Sequence, residues 1–459
     1  MENAYGILEF EKIKQMVAKM ASTERGIALV EDLHLLPVAE LREELLNEKE
    51  ALDLLRRYGG FPISGSKDLG ESLDYAEKGG ILTAAEFVAI EEDLKTVTLV
   101  KDYFEKAEGA PRLEEYQQAI TPIPALLEKI EDTVGPDLEI KDEASPTLRA
   151  IRQKRKRLEK KILESLTSLI HKYQPYLNGS SFAYKNGHYA LPVANAFKAK
   201  VNGLVQDVSG SGETLFVEPE ELLRIQNEIL MNEQQEKEEI ARILIALTGI
   251  VRTDKEFLLE NNKRLGYLDF LLAKARFGEQ FHGHVPNLSE KKQISLLAAR
   301  HPLLDPLTAI PNDFFLNEEE PIILISGPNA GGKTVALKTL GLLVLLFESG
   351  LPIPAKDGAE ISYCPHVYAD IGDGQSISDS LSTFAAHIKQ VGGILNAAEE
   401  DDLVLFDEIG TGTSPQEGEA LAYASIKKLL SIGCFALVSS HFNGLKAYAL
   451  KEPRLVSAS

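Results

Sequence analysis

The sequence has few cysteines and no long hydrophobic run, and these absences exclude several classes of protein. Its two cysteines, Cys364 and Cys434, lie far apart and match no metal-ligand spacing, so we predict reduced, structural thiols. No apolar run reaches the roughly 20 residues needed to span a bilayer. The start, MENAYGILEFEKI, has no basic segment followed by an apolar one, as a secretory signal would. We therefore expect a cytoplasmic protein without a membrane partner.

Basic residues are also scarce. There are 49 Lys and Arg against 70 Asp and Glu, which gives a net charge of −21. This charge argues against a protein that coats nucleic acid with its whole surface, although it leaves room for a local basic patch. With 459 residues the chain is too long for one core, so we predict two to four domains.

A glycine-rich stretch near residue 330 carries the clearest chemistry. A short apolar run, predicted as a buried strand, is followed by a full match to the phosphate-binding loop and then by a helical pattern. In such a loop the glycines let backbone N–H groups turn toward a phosphate at a helix N-terminus. We predict that Lys333 reaches the β- and γ-phosphates and that Thr334 ligates Mg²⁺. The predicted nucleotide-binding residues are Gly327, Pro328, Asn329, Ala330, Gly331, Gly332, Lys333 and Thr334.

Two later apolar strands end in polar residues that suit the same chemistry. The strand at 403–406 runs into Asp407 and Glu408, and the strand at 435–438 runs toward His441. We predict that Asp407 holds Mg²⁺ opposite Thr334, while Glu408 orients the attacking water. His441 would sense the γ-phosphate. An apolar strand ending in Asp-Glu is common, and a lone His is weak evidence of function. The three strand ends together predict a nucleotide hydrolase with Glu408 and His441 as catalytic residues.

The rest of the chain predicts a multidomain protein with an all-α core, a helical arm with a small β tip, and an α/β phosphate-loop domain. We place helical core at 1–144 and 240–290, the arm at 145–239 with its tip at about 182–218, and the nucleotide domain at 291–459. Strands are predicted at 188–193, 204–208 and 214–217, separated by Asn-Gly and Ser-Gly turns. The second long helix, which begins at Pro219, loses its apolar stripe at 232–239. It is therefore leaving a core, or it is held by one partner helix.

One concentrated basic segment lies on the first helix of the arm. Its candidate nucleic-acid contacts are Arg152, Lys154, Arg155, Lys156 and Arg157, and Lys198 and Lys200 lie near the predicted turns. A solvated helix face is the usual explanation of such a run. The alternative is contact with a phosphate backbone, which depends on salt and not on base sequence.

In combination, the motifs resemble the MutS family of ATPases. The residues that carry the resemblance are the phosphate loop, 407–422, LSTF at 381–384, ARHPLL at 299–304 and the strand end at His441. The particular forms that these motifs take are similar to those of the second bacterial MutS paralogue (MutS-two type). The resemblance implies an ABC-type ATPase fold in which two subunits of a homodimer sandwich ATP and Mg²⁺. It also implies that Ser382 and Thr383 reach the γ-phosphate bound in the partner. From the residues alone, Ser382 and Thr383 predict a helix cap.

The sequence departs from the family in three places. The position of an adenine-stacking aromatic falls at Ala309 or Ile310. The mismatch-reading Phe-x-Glu wedge belongs to a domain that precedes the helical core in mismatch-repair members, and we reject the chance matches at 216–218 and 277–279. The sequence stops at Ser459, so we expect a truncated chain without the family's C-terminal Smr nuclease domain.

The resemblance implies an ATP-hydrolysing clamp on nucleic acid, without mismatch recognition. Its target would be branched DNA, where it restrains recombination, or rRNA in collided ribosomes, which it would help to split. The alternative is an ABC-type ATPase subunit of a chromosome-organising or transport complex. Chromosome-organising ATPases separate the phosphate loop from the Asp-Glu strand by a long coil, whereas here the two lie close together.

Overall fold

The structure is a computed structural model that describes residues 2–305, 307–327, 332–372, 380–411 and 413–458, apart from the side chains of 2–3 and 380–386. The helices in these residues are α1 (Glu2–Ile7), α2 (Phe10–Ala18), α3 (Glu24–Glu31), α4 (Val38–Tyr58), α5 (Gly70–Glu77), α6 (Ala84–Phe104), α7 (Pro111–Gln118), α8 (Pro124–Thr133), α9 (Pro146–Tyr173), α10 (Glu220–Thr253), α11 (Lys255–Gln280), α12 (Lys333–Glu348), α13 (Ser380–Ala397), α14 (Pro415–Ile432) and α15 (Asn443–Ala449). The strands are β1 (Ala183–Lys185), β2 (His188–Ala194), β3 (Gly203–Val208), β4 (Thr214–Pro219), β5 (Asn287–Ser289), β6 (Gln293–Ala299), β7 (Asn312–Asn317), β8 (Ile322–Ser326), β9 (Glu360–Ser362), β10 (Val367–Asp370), β11 (Leu403–Phe406), β12 (Phe435–Ser440) and β13 (Leu455–Ala458).

The chain forms two compact units, each built from separate stretches of sequence. Unit 1 contains Met1–Asp68, Thr96–Thr121 and Glu260–Ser459, and unit 2 contains Leu69–Lys95 and Pro122–Leu259. This division groups the first four helices with residues 291–459. In the described part of the chain no helix is long and apolar enough to cross a membrane. Both cysteines are free and buried.

Unit 1 is centred on a five-stranded parallel sheet of order β10-β11-β12-β8-β13. Alternate residues of β8 enter different cores: Ile323 packs with α12, whereas Ile322 and Leu324 pack with α13, α14 and α15. Because side chains alternate along a strand, a strand covered on both faces must be apolar at nearly every position. The parallel arrangement brings the carboxyl ends of β8, β10, β11 and β12 to one edge.

A second sheet of order β5-β9-β6-β7 and the helices α1, α2 and α4 share the core that holds α12. α12 is buried along almost its whole length. A side chain at Gly341 would place its Cβ 2.4 Å from Leu405 Cδ1 and 2.9 Å from Leu8 Cδ1. A side chain at Gly341 would therefore require the Leu405 and Leu8 side chains to shift, because α12 packs closely against both.

Unit 2 contains the predicted arm, in which α9 and α10 pack along each other. The Ser145 side chain caps α9 by accepting a 2.9 Å hydrogen bond from the Leu148 N–H. α9 has an apolar seam, since Leu158, Ile162, Leu166 and Leu169 are buried against the tip.

The tip is an antiparallel sheet of order β1-β2-β4-β3. The three predicted strands are confirmed to within two residues. The sequence did not indicate the three-residue β1, which pairs with β2 across the Asn186-Gly187 turn. Both turn residues have positive φ, 51° and 83°, as the predicted Asn-Gly hairpin requires.

The polar stretch of α10 is helical and lies against α9. Asn232, Glu236 and Glu239 are buried. The Ser145 hydroxyl donates a 2.6 Å hydrogen bond to Glu239, and Arg152 donates one of 2.7 Å to Glu236. Of the two possibilities raised by the sequence, the structure shows a helix held by one partner, through polar contacts in place of an apolar seam.

Candidate active site

The phosphate loop joins β8 to α12 at the carboxyl edge of the parallel sheet. Gly332 precedes α12 with φ of 77°, a conformation that favours glycine. Lys333 follows with only 4% of its surface exposed, and its Nζ donates a 2.9 Å hydrogen bond to the Gly327 carbonyl. Pro328, Asn329, Ala330 and Gly331 lie outside the described residues. Within the described part, this hydrogen bond holds the ammonium group at the end of β8, and its contact with the β- and γ-phosphates stays a prediction.

Asp407 joins the phosphate loop to two neighbouring strands. Its Oδ2 accepts a 2.6 Å hydrogen bond from Thr334 Oγ1, and its Oδ1 accepts one from Ser439 Oγ at the end of β12. Its backbone N–H donates a 3.0 Å hydrogen bond to the Asp370 carbonyl at the end of β10. The structure thus brings Thr334 and Asp407 together. A hydroxyl and a carboxylate are oxygen ligands that Mg²⁺ prefers, so this pair fits the predicted metal.

Glu408 is placed by an unusual backbone conformation. Its φ is 49°, in the left-handed region that costs a non-glycine residue about 1–3 kcal/mol. Two hydrogen bonds hold the turn: the Glu408 N–H donates to Ser439 Oγ at 2.7 Å, and the Ile409 N–H donates to the Ser439 carbonyl at 3.2 Å. Glu408 Oε1 lies 3.9 Å from Lys333 Nζ. The turn therefore directs the carboxylate toward Lys333.

Ser439 contacts both acidic residues, and the sequence did not single it out. One hydroxyl donates to the Asp407 carboxylate and accepts from the Glu408 N–H. A signal was present: Phe406 pairs with Val438 in the register of β11 and β12, so Ser439 follows opposite the start of the Asp-Glu pair. A polar residue at that register is expected to reach across.

For His441, Ser382 and Thr383, the other predicted residues of this site, the structure shows less. His441 is exposed, with its ring centroid 4.4 Å from that of Phe442, and within the described residues the structure shows no hydrogen bond or ion pair between His441 and Lys333 or Glu408. The side chains of Ser382 and Thr383 lie outside the description. The helix that carries them is described from Ser380 onward, and their predicted cap stays a prediction.

A second pair of side chains near this edge was also missed. His387 Nδ1, on α13, lies 3.0 Å from Asp370 Oδ2. The hydrogen bond to Asp370 raises the pKa of His387. Asp370 ends β10, whose four residues gave no recognisable strand pattern. The pair connects the helix of Ser382 and Thr383 to the strand beside Asp407.

A cavity of about 380 Å³ adjoins Lys333 between the two sheets of unit 1, large enough for part of a nucleotide. Phe315 and Ala336 contribute to its wall, whereas Ala309 and Ile310 do not. Ile310 is 81% exposed. The aromatic side chains that border the cavity are Phe314 and Phe315.

The basic residues of the arm divide into two groups. Arg152 is 18% exposed and donates 2.7 Å hydrogen bonds to Asp142 and Glu236. Arg155 contacts Glu236 at 2.8 Å, and Lys198 Nζ lies 3.3 Å from the Gly203 carbonyl. Exposed side chains without a described ion pair are those of Lys154, Lys156, Arg157 and Lys200. These four are the ones available to an external phosphate.

The fold and these side chains define an α/β domain of the phosphate-loop class, and residues 323–458 match the family described as MutS domain V. The predicted resemblance to the MutS family is confirmed. The chain is similar along its length to proteins named endonuclease MutS2. It is 37% identical to that of Clostridium beijerinckii over 462 residues, which cover 100% of this chain and 59% of the relative. It is 38% identical to that of a Geobacillus species over 463 residues, covering 99% and 59%. The chain thus spans about three fifths of the length of these curated relatives.

Proposed function

We propose that this chain binds ATP with Mg²⁺, hydrolyses it, and uses the cycle to open and close a nucleic-acid clamp of the MutS-two type. The observation that carries the proposal is the contact of Asp407 with Thr334 of the phosphate loop and with Ser439, which also fixes Glu408. A phosphate-binding lysine, an oxygen pair for Mg²⁺ and a second carboxylate are the parts that phosphoryl transfer to water requires.

Each side chain has a defined part in this proposal. Lys333 neutralises charge on the β- and γ-phosphates, and its hydrogen bond to Gly327 holds it at the loop. Thr334 and Asp407 would hold Mg²⁺, which would supply positive charge to stabilise the phosphate oxygens. Glu408 orients the attacking water, with Ser439 fixing its backbone. We assign Ser382, Thr383 and His441 to γ-phosphate contact, with Ser382 and Thr383 acting across a homodimer.

Nucleic-acid binding is assigned to the arm. Lys154, Lys156 and Arg157 are exposed along one stretch of α9, whereas Arg152 and Arg155 are occupied by carboxylates of unit 2. Contacts from such side chains to phosphates depend on charge and not on base sequence. We therefore propose targets defined by structure, namely branched DNA or rRNA in collided ribosomes. The similarity to MutS2 proteins supports this choice.

The ATPase proposal is tested with Lys333→Ala and Glu408→Ala. Lys333→Ala should abolish ATP binding, measured with a fluorescent ATP analogue, whereas Glu408→Ala should bind ATP but turn it over at least a hundredfold more slowly. Lys428→Ala, at an exposed lysine of α14, is the matched control and should behave as the unaltered protein. Normal turnover by Lys333→Ala or Glu408→Ala would refute the assignment.

The target is tested with Glu408→Ala protein saturated with ATP, because this variant should remain in its ATP-bound state. It is offered branched DNA and collided ribosomes in competition, and the bound fraction of each is measured. Preference for ribosomes would assign a role in translation, and preference for DNA a role in recombination. If ATP-bound protein binds neither, the clamp proposal is wrong.

A further inference from the structure

A cavity of about 520 Å³ lies in unit 1, at the opposite end of α12 from the phosphate loop. Its walls are formed by α3, the segment between α3 and α4, α4, α11 and Ser349, the residue that follows α12. α12 has 16 residues, so about 24 Å of helix separates the cavity from Lys333. The volume is in the range of sites that hold small molecules. This cavity is therefore separate from the proposed nucleotide site and large enough to bind a ligand of its own.

The base of the cavity is apolar and is held in place by backbone contacts. Leu33 and Phe270 line it and are buried in the main core of unit 1. The Leu36 N–H, also at the wall, donates a 2.8 Å hydrogen bond to the Glu348 carbonyl. This bond ties the segment before α4 to the end of α12. The shape of the base is thus fixed by the same core that packs around α12.

One polar group of the wall has no partner. Ser349 is 1% exposed, and its hydroxyl makes no hydrogen bond with any described residue. Buried hydroxyl groups are normally hydrogen-bonded, because burial without a partner is unfavourable. The nearby polar groups of the wall are occupied, since Asn47 donates a 2.9 Å hydrogen bond to the Tyr267 hydroxyl, which donates one of 2.6 Å to Glu44. Ser349 is therefore a wall group whose hydrogen bond a ligand can supply.

The charge on the wall of the cavity is negative. Four lining residues are acidic, and none of the described residues that line the cavity is Lys or Arg. Glu43 and Glu44 form ion pairs with basic residues that lie outside the lining. The carboxylates of Asp32 and Glu40 are exposed and have no ion pair within the described chain. The cavity thus combines a buried apolar base with an acidic mouth, which complements a cation that carries an apolar body.

We propose that this cavity binds a small organic amine, with its apolar body against the base and its ammonium group facing Asp32 and Glu40 at the mouth. A polar group on the body hydrogen-bonds to Ser349. A lysine side chain of a partner protein does not match this arrangement. It would enter with its ammonium group foremost and place the charge at the apolar base, away from the two unpaired carboxylates. Such a site is independent of the proposed ATP and nucleic-acid binding and adds a ligand to both.

The test measures the binding of three related probes by isothermal titration calorimetry. Tyramine has an ammonium group and a phenol hydroxyl, phenethylamine lacks the hydroxyl, and tyrosol has an alcohol in place of the ammonium group. Asp32→Asn combined with Glu40→Gln removes the two unpaired charges, and Ser349→Ala removes the buried hydroxyl. Glu31→Gln combined with Asp53→Asn is the matched control, because it removes two exposed charges of α3 and α4 that lie outside the cavity. The Tm of each variant confirms that it is folded.

We expect tyramine to bind the unaltered protein with a Kd below about 1 mM, and more weakly as salt is added. The variant at Asp32 and Glu40 should weaken tyramine binding about tenfold and change tyrosol binding less than about twofold. Ser349→Ala should weaken tyramine binding about fivefold while changing phenethylamine binding less than about twofold. The control variant should bind all three probes as the unaltered protein does.

Several results would overturn the amine site. One is the absence of binding of both tyramine and phenethylamine at millimolar concentration. Another is tyrosol binding as tightly as tyramine, which would show an apolar site without preference for a cation. Unchanged tyramine affinity in either cavity variant, or an equal loss in the control variant, would also contradict the assignment. These outcomes leave the proposed ATPase untouched, because Lys333→Ala and Glu408→Ala test it separately.

Discussion

The Thr334 hydroxyl donates a 2.6 Å hydrogen bond to the Asp407 carboxylate, joining the first turn of α12 to the end of β11. These residues are 73 positions apart in sequence, and the parallel sheet brings them together. The contact exists because β8, which precedes the phosphate loop, and β11, which precedes Asp407, end at the same edge of the sheet. The proposed metal ligands are therefore already oriented toward each other in the fold.

Asp407→Asn should weaken the Mg²⁺-dependent part of ATP binding by tenfold or more, because it replaces a charged oxygen ligand by a neutral amide of the same size. The measurement is the dissociation constant of a fluorescent ATP analogue with Mg²⁺ and with EDTA. Asp401→Asn, at an exposed carboxylate just before β11, is the control and should leave both constants unchanged. An unaltered Mg²⁺ dependence in Asp407→Asn would contradict the assignment of Asp407.

Ser439→Ala should slow ATP hydrolysis by roughly tenfold while changing nucleotide affinity by less, since it removes one hydrogen bond to Asp407 and one that fixes the Glu408 backbone. Steady-state kinetics and nucleotide titration separate the two effects. Ser440→Ala is the neighbouring control, because the Ser440 hydroxyl accepts from the Phe442 N–H instead. Equal losses of hydrolysis rate in Ser439→Ala and Ser440→Ala would indicate a general disturbance of β12 and contradict the specific role of Ser439.

Arg152→Ala and Lys156→Ala should affect different properties, the first the stability of unit 2 and the second its nucleic-acid binding. Arg152→Ala leaves the buried Glu236 with only part of its hydrogen bonding, so we expect unit 2 to lose about 1–3 kcal/mol of unfolding free energy. Lys156→Ala should leave stability unchanged and reduce the salt slope of nucleic-acid binding by about 1. Chemical denaturation and salt-dependent titration measure the two quantities. A stable Arg152→Ala protein with weakened nucleic-acid binding would reverse these roles.

Glu348→Gln should make the stability of unit 1 less dependent on pH. Burial at the end of α12 raises the pKa of Glu348 to about 8, while its Oε1 accepts a 2.7 Å hydrogen bond from the Cys364 N–H. The stability that comes from the protonated folded carboxyl is fully present below its unfolded pKa, near 4.5, and is lost as pH rises toward 8.

Calorimetric Tm values of the unaltered protein should therefore fall relative to those of Glu348→Gln as pH increases from 5 to 8. Glu360→Gln, at a half-exposed carboxylate on β9, is the control. Parallel Tm curves for Glu348→Gln and the unaltered protein would show that this carboxyl does not titrate as described.

The positions of the residues predicted to bind nucleotide could be read from the sequence because their motif is local and their strands are strongly apolar. Lys333, Thr334 and Asp407 follow directly from such patterns. Ser439 and the His387–Asp370 pair depend on the register between strands, which no local pattern contains. A four-residue strand such as β10 is also too short to produce a recognisable alternation.

The contacts of the basic segment of α9 could be predicted only in part, for a different reason. Arg152 and Lys156 are both basic residues of one run and cannot be distinguished by composition. In the structure Arg152 faces α10, whereas Lys156 faces solvent. A usable signal was present: Arg152 and Arg155 are three residues apart, as are Glu236 and Glu239 on α10. That spacing places each pair on one helix face. The predicted polar stretch of α10 and the predicted basic run were two sides of one contact.

The division of the chain into interrupted stretches has a consequence for synthesis. Unit 2 is complete once residue 259 has been made, whereas the core of unit 1 joins helices before residue 50 to strands that extend beyond 430. During translation the amino-terminal helices therefore emerge long before the sheet that covers them, and unit 2 is able to fold first. The first helices depend on the last strands, so an interrupted translation product would contain a folded arm and an exposed, incomplete nucleotide domain.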